Sequence, residues 1–286
     1  MPYPELRRGS KGEEVTLLQS FLNRIGAMLI PDGDYGAGTV KGVCYAQDVA
    51  KQAITGVADS SLWKWLEVRP EPSSLLSANG LAFIALEETG GLSYYESNTI
   101  WPHFPGEESG ITIGVGYDLK WNTQENFRST WGPYLPKYVM DELMKEIGKR
   151  GTKKRVAELR QMGIEIPFKS AWPVFVERSV PRFYEETASI YASIGTLPDL
   201  CRTVLVSLVF NRGRSLAGDR RKEMKQIQAI LERAGRARLS KAERKTILAD
   251  VEDQLLSMKR LWQAGSGLVK RRQAEANLWR KGLSLW

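Results

Sequence analysis

The sequence is poor in the side chains that most often bind metals or act as nucleophiles: its 286 residues include one histidine, His103, and two cysteines, Cys44 and Cys201. Zinc hydrolases generally hold the metal with a set of His or Cys ligands, so the composition argues against a zinc amidase or peptidase. No G-x-S-x-G motif accompanies His103, which argues against a Ser-His-Asp or Cys-His system. The chemistry is therefore expected to run mainly on carboxylates, and the two distant cysteines are expected to be free thiols.

Long apolar runs are also absent from the sequence. No stretch approaches the about 20 consecutive apolar residues that a membrane-spanning helix requires. The opening MPYPELRRGSKGEEV lacks the basic-then-apolar pattern and the cleavage site of a signal peptide. We therefore expect a protein that is made in the cytoplasm and does not export itself by the usual route.

The net charge of +8 is distributed unevenly along the chain. Residues 1–70 hold 8 basic and 8 acidic side chains, and residues 71–199 hold 13 basic against 17 acidic. Residues 200–286 hold 20 basic against 8 acidic, a net charge of +12. A basic third beside an acidic middle indicates a polyanionic partner, such as nucleic acid, anionic lipid headgroups or a bacterial wall polymer.

The hydrophobic pattern divides the chain into two parts. Residues 6–67 are predicted to form a compact three-helix unit. The stretch Arg69-Pro-Glu-Pro-Ser-Ser is typical of a linker, which predicts few contacts across it. Beyond it, β-branched residues between glycines predict a strand over 110–117, and almost everything after Asp118 is predicted helical, including one helix over 170–192. The predicted fold class is mainly α, of the α+β kind, with a small β lobe before a large helical lobe.

The first part carries a dense motif. Leu6-Arg-Arg-Gly9-Ser-Lys-Gly12-Glu-Glu-Val15-Thr-Leu-Leu18-Gln19 is followed at intervals by Asp32-Gly33, Tyr35-Gly36, Thr39, Gln47, Thr55-Gly56 and Trp63. Together these residues resemble the three-helix peptidoglycan-binding domain, and the resemblance covers nearly all of residues 6–67. It implies bacterial peptidoglycan as a partner. Thr39 is expected to cap the second helix of this unit.

The second part offers a pattern suited to glycoside hydrolysis, which needs an acid for the leaving oxygen and a group that handles water or the developing cation. Glu88 ends a hydrophobic helix, and an apolar setting there is expected to raise the pKa of its carboxyl group by desolvation. The strand Thr112-Ile-Gly-Val-Gly-Tyr-Asp118 follows about two dozen residues later. Its glycines are expected to let a sugar chain approach the backbone closely.

Several segments of this part resemble phage-type lysozymes, particularly their pesticin-like branch. The segments are Glu88-Thr-Gly-Gly, Tyr94-Tyr95, Trp101-Pro102, Ser109-Gly-Ile-Thr112-Ile-Gly-Val-Gly-Tyr-Asp118-Leu, Ser207-Leu-Val-Phe210-Asn211-Arg-Gly213 and Gly267-Leu-Val-Lys-Arg-Arg272-Gln-Ala-Glu275. The resemblance spans about residues 80–280. Together, the two resemblances and the linker predict a peptidoglycan-binding domain at 1–68, a linker at 69–79 and a lysozyme-like muramidase domain at 80–286.

The resemblance also implies roles for individual residues. Glu88 is the predicted general acid, Thr112 and Asp118 are predicted to hold and activate the attacking water, and Asn211 is predicted to contact substrate. Glu87 competes with Glu88 for the role of the acid, and Glu107 or Glu108 compete with Asp118.

Structural alternatives stay open for the same residues. Asp118 is also placed to cap the helix after the strand, and Asn211 to be a satisfied amide in a cleft wall. Arg271 and Arg272 are expected to form salt bridges under the β lobe. Most tryptophans are expected in the core, with Trp101 and Trp131 as candidates for stacking on sugar faces.

The resemblance implies a modular phage endolysin that cleaves the β-1,4 bond from N-acetylmuramic acid to N-acetylglucosamine during host lysis. No metal or organic cofactor is implied, and a monomer is expected. The enzyme is expected in the host cytoplasm until a holin opens the inner membrane, and then at the cell wall. The basic C-terminal third adds anionic outer-membrane or lipid surfaces as a further partner, whereas no recognised motif supports nucleic acid. A lytic transglycosylase and a wall-targeted muramidase toxin or effector are the alternatives.

Overall fold

The computed structural model describes residues 3–106, 108–236 and 238–286. The chain forms two compact units, Met1–Val180 and Pro181–Trp286. Within the described residues it is mainly helical, with one small sheet of two antiparallel strands, which confirms the predicted fold class. In the same residues no helix combines the length and the apolar character needed to cross a membrane. Cys44 and Cys201 are free thiols, as expected.

The first unit contains nine α-helices and the two strands in its described residues. These are α1 (Glu13–Asn23), α2 (Ala37–Val49), α3 (Ser60–Glu67), α4 (Ala78–Thr89), α5 (Leu92–Tyr94), β1 (Thr112–Ile113), β2 (Tyr117–Asp118), α6 (Gln124–Trp131), α7 (Lys137–Met144), α8 (Lys153–Gln161) and α9 (Phe168–Val174). Short π-helical segments follow α5 and α9, at Tyr95–Thr99 and Phe175–Ser179, and a 3-10 helix, Leu119–Trp121, follows β2.

The second unit is built from five α-helices in its described residues. They are α10 (Val180–Ile190), which begins at the boundary, α11 (Asp199–Arg212), α12 (Lys222–Ala234), α13 (Lys241–Ser257) and α14 (Gly267–Ser284). The 3-10 helices Ile194–Thr196, Asp219–Arg221 and Met258–Leu261 connect them. The core of this unit is formed where α14 packs on α11 and α13, and Trp279 lies fully buried with its indole N–H donating to the carbonyl of Leu248 at 2.8 Å.

Two buried glutamines stabilise the N-terminal module (residues 6–67). Gln19 donates to the carboxylate of Asp32 at 2.8 Å and accepts the backbone N–H of Gly33 at 3.0 Å. Gln47 accepts the backbone N–H groups of Thr55 and Gly56 at 2.9 and 3.0 Å. Each side chain thereby satisfies loop groups that would otherwise be buried without partners. The predicted three-helix unit is confirmed, and these contacts explain why both glutamines belong to its motif.

Thr39 does not cap α2 as the sequence predicted. The helix begins after Gly36, so Thr39 is the third helical residue. Its hydroxyl group donates to the carbonyl of Asp34 at 3.1 Å and accepts from Gln19 at 3.0 Å. An N-cap side chain accepts from an N–H group of the first turn, whereas Thr39 lies inside that turn and bonds back to the preceding loop. Thr39 does form polar contacts at the start of the helix, but it lies inside the first turn and not at the predicted cap position.

The N-terminal module packs closely against the rest of the first unit, so the prediction of few contacts across the linker is wrong. Asn23 donates to the side-chain oxygen of Asn79 in α4 at 2.9 Å. Met28 is buried, and its sulfur lies 3.1 Å from the hydroxyl oxygen of Thr89, the last residue of α4, which itself donates to the carbonyl of Ala85 at 2.7 Å. A Cβ atom on Gly26 would lie only 2.5 Å from the ring of Trp172 in α9. The proline and serine content of the linker indicates only the conformation of the linker itself. It does not show whether the segments on its two sides pack against each other.

The predicted strand over 110–117 is a tight hairpin. Strands β1 and β2 pair antiparallel, with Thr112 opposite Asp118 and Ile113 opposite Tyr117. Gly114 and Gly116 have φ angles of 56° and 71°, a region that glycine adopts without steric cost, so the chain reverses there. A Cβ atom on Gly114 would lie 2.8 Å from Trp131. At Gly114 the missing side chain therefore serves internal packing, contrary to the expectation that these glycines admit a sugar chain.

The predicted helix over 170–192 is interrupted. It consists of α9, the π-helical segment Phe175–Ser179 and α10. Pro173 lies inside α9 and Pro181 at the second position of α10. Neither proline has an N–H group to donate to the preceding turn, which favours a local change in hydrogen-bond pattern.

Burial of Met28 generates a first prediction. Met28→Ala should lower the free energy of unfolding by about 2–5 kcal/mol, because it removes a buried side chain and leaves a cavity. It should also speed hydrogen exchange at the α4 amides, since Met28 contacts Thr89. Urea denaturation and exchange mass spectrometry are the measurements. Met162→Ala is the matched control, because Met162 is 53% exposed. Equal losses in the two variants would contradict a structural role for this contact.

Candidate active site

The small sheet places three polar residues in a row. His103 and Thr112 exchange backbone hydrogen bonds of 2.9 and 2.8 Å, and Thr112 stands opposite Asp118 across the β1–β2 ladder. The N–H of Leu119 donates to the carbonyl of Ile111 at 2.9 Å, so Thr112 and Asp118 form the closely spaced, non-hydrogen-bonded kind of pair. Directly opposed residues direct their side chains to the same face of a sheet. The structure thus brings together Thr112 and Asp118 and adds His103 beside them.

The Asp118 carboxylate is anchored by backbone amides. Gly110 N–H lies 3.1 and 3.0 Å from Oδ1 and Oδ2, and Lys120 N–H donates to Oδ1 at 2.8 Å. The bond from the Lys120 N–H caps the 3-10 helix Leu119–Trp121, which confirms the alternative prediction that Asp118 caps the helix after the strand. A carboxylate offers about four lone-pair positions, so these contacts leave acceptor capacity for a water molecule. Asp118 is therefore a fixed acceptor, and its part in the reaction stays a prediction.

Gly110 is a necessary partner of this carboxylate. A Cβ atom there would lie 2.3 Å from Asp118 Oδ1 and 2.6 Å from the backbone nitrogen of Lys120. Side chains cannot approach to such distances, so only glycine lets the carboxylate reach the two amides. The Gly110 of the sequence motif is explained by this contact.

His103 was missed as a site residue by sequence reasoning. Burial lowers its pKa below the ordinary value, and a hydrogen bond with the backbone of Trp101 opposes this shift only in part. The imidazole is therefore neutral at pH 7. Its Nδ1 atom is buried and has no hydrogen-bond partner among the described residues. The only sequence signal was that His103 is the single histidine, and the pairing with Thr112 depends on a loop that no local pattern predicts.

Glu88 is the penultimate residue of α4. Ser77 caps the start of the helix, where its hydroxyl accepts the N–H of Gly80 at 3.2 Å, and the helix ends before Gly90, which is in the left-handed conformation with a φ of 72°. The prediction that Glu88 ends a hydrophobic helix is confirmed, since most of α4 is buried. Glu87 and Glu88 are both half-buried, so exposure does not separate the two candidates for the acid.

The competitors of Asp118 differ in position. Glu108 has a side chain that is 76% exposed and forms ion pairs with Lys120 at 3.5 Å and Arg150 at 3.6 Å. It lies on the surface loop before β1 and does not share the ladder with Thr112. Glu107 lies outside the described residues.

In the second unit, Asn211 lies near the end of α11. Its side-chain oxygen accepts from Arg272 at 3.4 Å, which fits the structural interpretation of a satisfied amide. Because an arginine only donates, Asn211 presents its oxygen to Arg272 and keeps its NH2 group as a donor. The contact thus orients the amide, and substrate binding by Asn211 stays a prediction.

Arg271 and Arg272 form salt bridges as expected, both with Glu275 of the same helix, whereas their expected place under the β lobe stays a prediction. Their guanidinium nitrogens lie 3.3 and 2.9 Å from Glu275 Oε1, which also accepts the hydroxyl of Ser207 at 2.7 Å. Glu275 and Arg272 are fully buried. A buried charge is costly unless it is paired, so this cluster ties α14 to α11.

The tryptophans divide between core and surface. Trp131 is fully buried and packs edge-on against Tyr117 at 5.5 Å between ring centroids, so it cannot stack on a sugar and that suggestion is wrong. Trp101 is half-buried, and the guanidinium of Arg160 covers its ring at 3.9 Å. Trp121, which sequence reasoning passed over, is 66% exposed three residues after Asp118. The sequence feature that could have identified Trp121 is its closeness to the motif that ends in Asp118.

The comparisons with known proteins bear on the N-terminal module. Residues 11–66 match a family model described as "Putative peptidoglycan binding domain". The match confirms the peptidoglycan-binding domain predicted from the sequence motif, and it supports peptidoglycan as a partner. No curated protein matches the chain.

A solved structure aligns along nearly all of the chain. A crystal structure of Burkholderia AP3 phage endolysin covers 97% of this chain and 100% of its own, at 15% identity and a TM-score of 0.23. At these values the alignment carries no argument about function. The lysozyme resemblance of residues 80–280 therefore stays a prediction.

The pKa shift of His103 generates a second prediction. The folded pKa is below the unfolded value of about 6.5, so the unfolded chain takes up the proton first as pH falls. The contribution of His103 to stability is fully present above about pH 6.5 and is lost as pH falls through the folded pKa. His103→Gln should therefore flatten the pH dependence of the free energy of unfolding in the weakly acidic range. Because the sequence has one histidine, a pH dependence of unfolding that this substitution removes is attributable to His103, and urea denaturation from pH 8 to 5 measures it. Parallel curves for the two proteins would refute it.

Proposed function

We propose that the chain is a peptidoglycan hydrolase of the endolysin kind, in which the N-terminal module binds the wall and Glu88, Thr112 and Asp118 cleave the glycan. The bond is the β-1,4 link from N-acetylmuramic acid to N-acetylglucosamine. The observation that carries the proposal is the peptidoglycan-binding match at residues 11–66, in the same compact unit as these three residues. The biological role proposed is lysis of a bacterial host from within.

The proposed reaction needs one proton donor and one water. Glu88 gives its proton to the glycosidic oxygen as the bond to the muramic acid C1 breaks, so N-acetylglucosamine leaves with a free hydroxyl group. Thr112 and Asp118 hold the water whose oxygen joins C1, and Asp118 takes the released proton. The support for this pair is its geometry, since the ladder opposes the two residues and backbone amides fix the carboxylate.

The proximity of His103 has a place in this proposal. A neutral imidazole beside Thr112 adds no positive charge that would compete with water for the Asp118 carboxylate.

The central experiment is mass spectrometry of muropeptides released from purified sacculi. Hydrolysis leaves N-acetylmuramic acid with a free reducing end. A lytic transglycosylase leaves a 1,6-anhydro product, and a peptidase or amidase leaves the glycan intact. Either of the latter results would overturn the proposal.

The identity of the acid gives a third prediction. Glu88→Gln should reduce the rate of sacculus lysis by about 10²–10⁴-fold, because an amide of the same shape has no proton to give. Glu87→Gln is the matched control and should retain the rate. Turbidity clearing measures the rates, and thermal unfolding checks that both variants stay folded. Inactivity of the Glu87 variant alone would place the acid one residue earlier.

The water-handling pair gives a fourth prediction. Asp118→Asn and Thr112→Ala should each lower the rate by at least about 10²-fold. Glu108→Gln, an exposed carboxylate on the neighbouring loop, should have no effect. Because Asp118 also caps the following helix, unfolding midpoints must accompany the rates. If Asp118→Asn is active and folded while Glu107→Gln or Glu108→Gln is inactive, the second carboxylate lies before the strand.

A further inference from the structure

Two open cavities of the second unit share the turn at residues 217–219 as a common wall. The larger, of about 620 Å³, lies between the end of α11, the segment 219–221 and Trp262. The smaller, of about 540 Å³, lies between the same turn and the start of α12. We propose that the two cavities together bind the stem peptide of peptidoglycan through its free carboxylate groups. The inference rests on the proposed function, because it names the part of the wall polymer that the second unit recognises.

The chemistry of the wall polymer decides which of its groups a site can recognise by charge. The lactyl carboxyl group of N-acetylmuramic acid is amide-linked to the stem peptide and carries no charge there. The free carboxylates belong instead to the stem peptide itself. They are the α-carboxylate of its γ-linked glutamate, where this group is not amidated, and the carboxylate at its end. A site that selects peptidoglycan by negative charge therefore has to recognise this peptide.

The first argument is the charge of the lining. The basic side chains that line the two cavities are Arg212, Arg220, Arg221, Lys222 and Lys225. Among the described residues of the lining, Asp219 is the one acidic side chain, and its carboxylate accepts from Arg260 at 3.1 Å. A concave surface lined by one sign of charge concentrates ions of the opposite sign. The two cavities therefore favour an anionic ligand.

The buried acid of α12 is engaged as well. Glu223 accepts from the Arg260 Nε at 2.6 Å, so it pairs with the same arginine that holds Asp219. It raises the pKa of Arg212 by less than any of the neighbouring arginines lowers it. Within the described residues, no ion pair joins Arg212, Arg220 or Arg221 to a carboxylate. Protein side chains thus leave the positive charge of the larger cavity largely uncompensated.

The second argument is the state of Arg212. Only 9% of its surface is exposed, and its Nε atom has no hydrogen-bond acceptor among the described residues. One terminal nitrogen donates to the carbonyl of Arg220. Burial, followed by the charges of Arg221, Arg272 and Arg220, lowers the pKa of Arg212 to about 10. A desolvated charge without a counter-ion is costly, and a carboxylate bound in the cavity would relieve that cost.

The third argument is the extent of the basic lining. It runs from Arg212 at the end of α11, past the shared turn, to Lys225 in α12. A single phosphate group occupies one position in such a lining. A stem peptide presents carboxylates that lie several residues' atoms apart along an extended backbone. Two adjoining cavities with separate basic groups therefore suit an acidic peptide better than a lone phosphate.

The uncharged part of the lining also suits a peptide. Trp262, Leu268 and Ala217 provide apolar surface for the methyl groups of alanine residues. Asn211 keeps its NH2 group as a donor for a peptide carbonyl, because its oxygen accepts from Arg272. A pocket with an apolar surface and a few placed polar groups is the usual form of a site for a small ligand.

The test measures binding of a peptide that carries no sugar, so it does not depend on glycan cleavage. The full-length protein is titrated by NMR with N-acetyl-L-alanyl-γ-D-glutamyl-L-lysine, with the same peptide amidated at both carboxyl groups, and with inorganic phosphate. We expect the acidic peptide to bind about tenfold more tightly than the diamide, the size of effect that a charge-assisted hydrogen bond gives.

Variants assign the site, because the N-terminal module matches a peptidoglycan-binding family and is a second place for a wall peptide to bind. Arg221→Gln, at a half-buried position, should weaken binding of the acidic peptide about tenfold and leave binding of the diamide unchanged. Lys225→Gln removes an exposed charge from the smaller cavity and should weaken binding about threefold.

The matched control is Arg236→Gln, which removes the same charge from an exposed arginine of the same unit outside both cavities. It should change no affinity. Arg221 is the primary variant because replacing the buried Arg212 risks the fold. Thermal unfolding of each variant confirms that the folded protein is being titrated.

Several results would overturn the inference. They are equal binding of the acidic peptide and its diamide, absence of peptide binding, or equal effects of Arg221→Gln and Arg236→Gln. Binding of phosphate without the peptide would overturn it too, and would assign the cavities to a phosphate source such as an anionic lipid. An unchanged affinity in Lys225→Gln would overturn the part assigned to the smaller cavity. Failure of the proposed function would appear separately, in the muropeptide products, because the titrated peptide has no glycosidic bond.

Discussion

The carboxylate of Asp118 is the contact on which the geometry of the candidate site depends. It joins the backbone of Gly110 to that of Lys120, and so fixes the start of β1 against the end of β2. Thr112 is held between this carboxylate and His103 as a result. The tight fit explains why residue 110 is a glycine. The two strands of this small sheet are thus linked by one carboxylate and the backbone amides around it.

Sequence reasoning succeeded where one residue type has one physical consequence. The N-terminal module was predictable because its apolar residues recur at helical spacing and its motif resembles a known domain, and the structure adds that Gln19 and Gln47 of this motif satisfy loop backbone groups. The paired arginines of α14 were predictable as ion pairs because buried charge requires a partner. The first case depends on residues that are close in sequence, and the second depends on buried charges that must be paired.

Sequence reasoning failed where the outcome depends on distant parts of the chain. The hairpin at Gly114 and Gly116 was taken for one strand, since glycines between β-branched residues do not reveal the sign of φ. The pairing of His103 with Thr112 has no local signature. The choice between Glu87 and Glu88 stays open, because a helix buried on nearly all sides has no single apolar stripe to fix the register. Tertiary packing decides each of these features.

The contacts of Gly26 and Met28 bear on how domains of this chain are exchanged, in evolution or in the laboratory. A domain joined only by a flexible linker is replaceable by any other domain of the same binding class. Here the N-terminal module reaches Thr89, the residue next to Glu88, and leaves no room for a side chain between Gly26 and Trp172. A chimera that transplants another binding domain onto this chain must therefore carry over the face formed by Asn23, Gly26 and Met28. Without that face the helix that bears Glu88 loses its support, and the new specificity comes with a loosened scaffold.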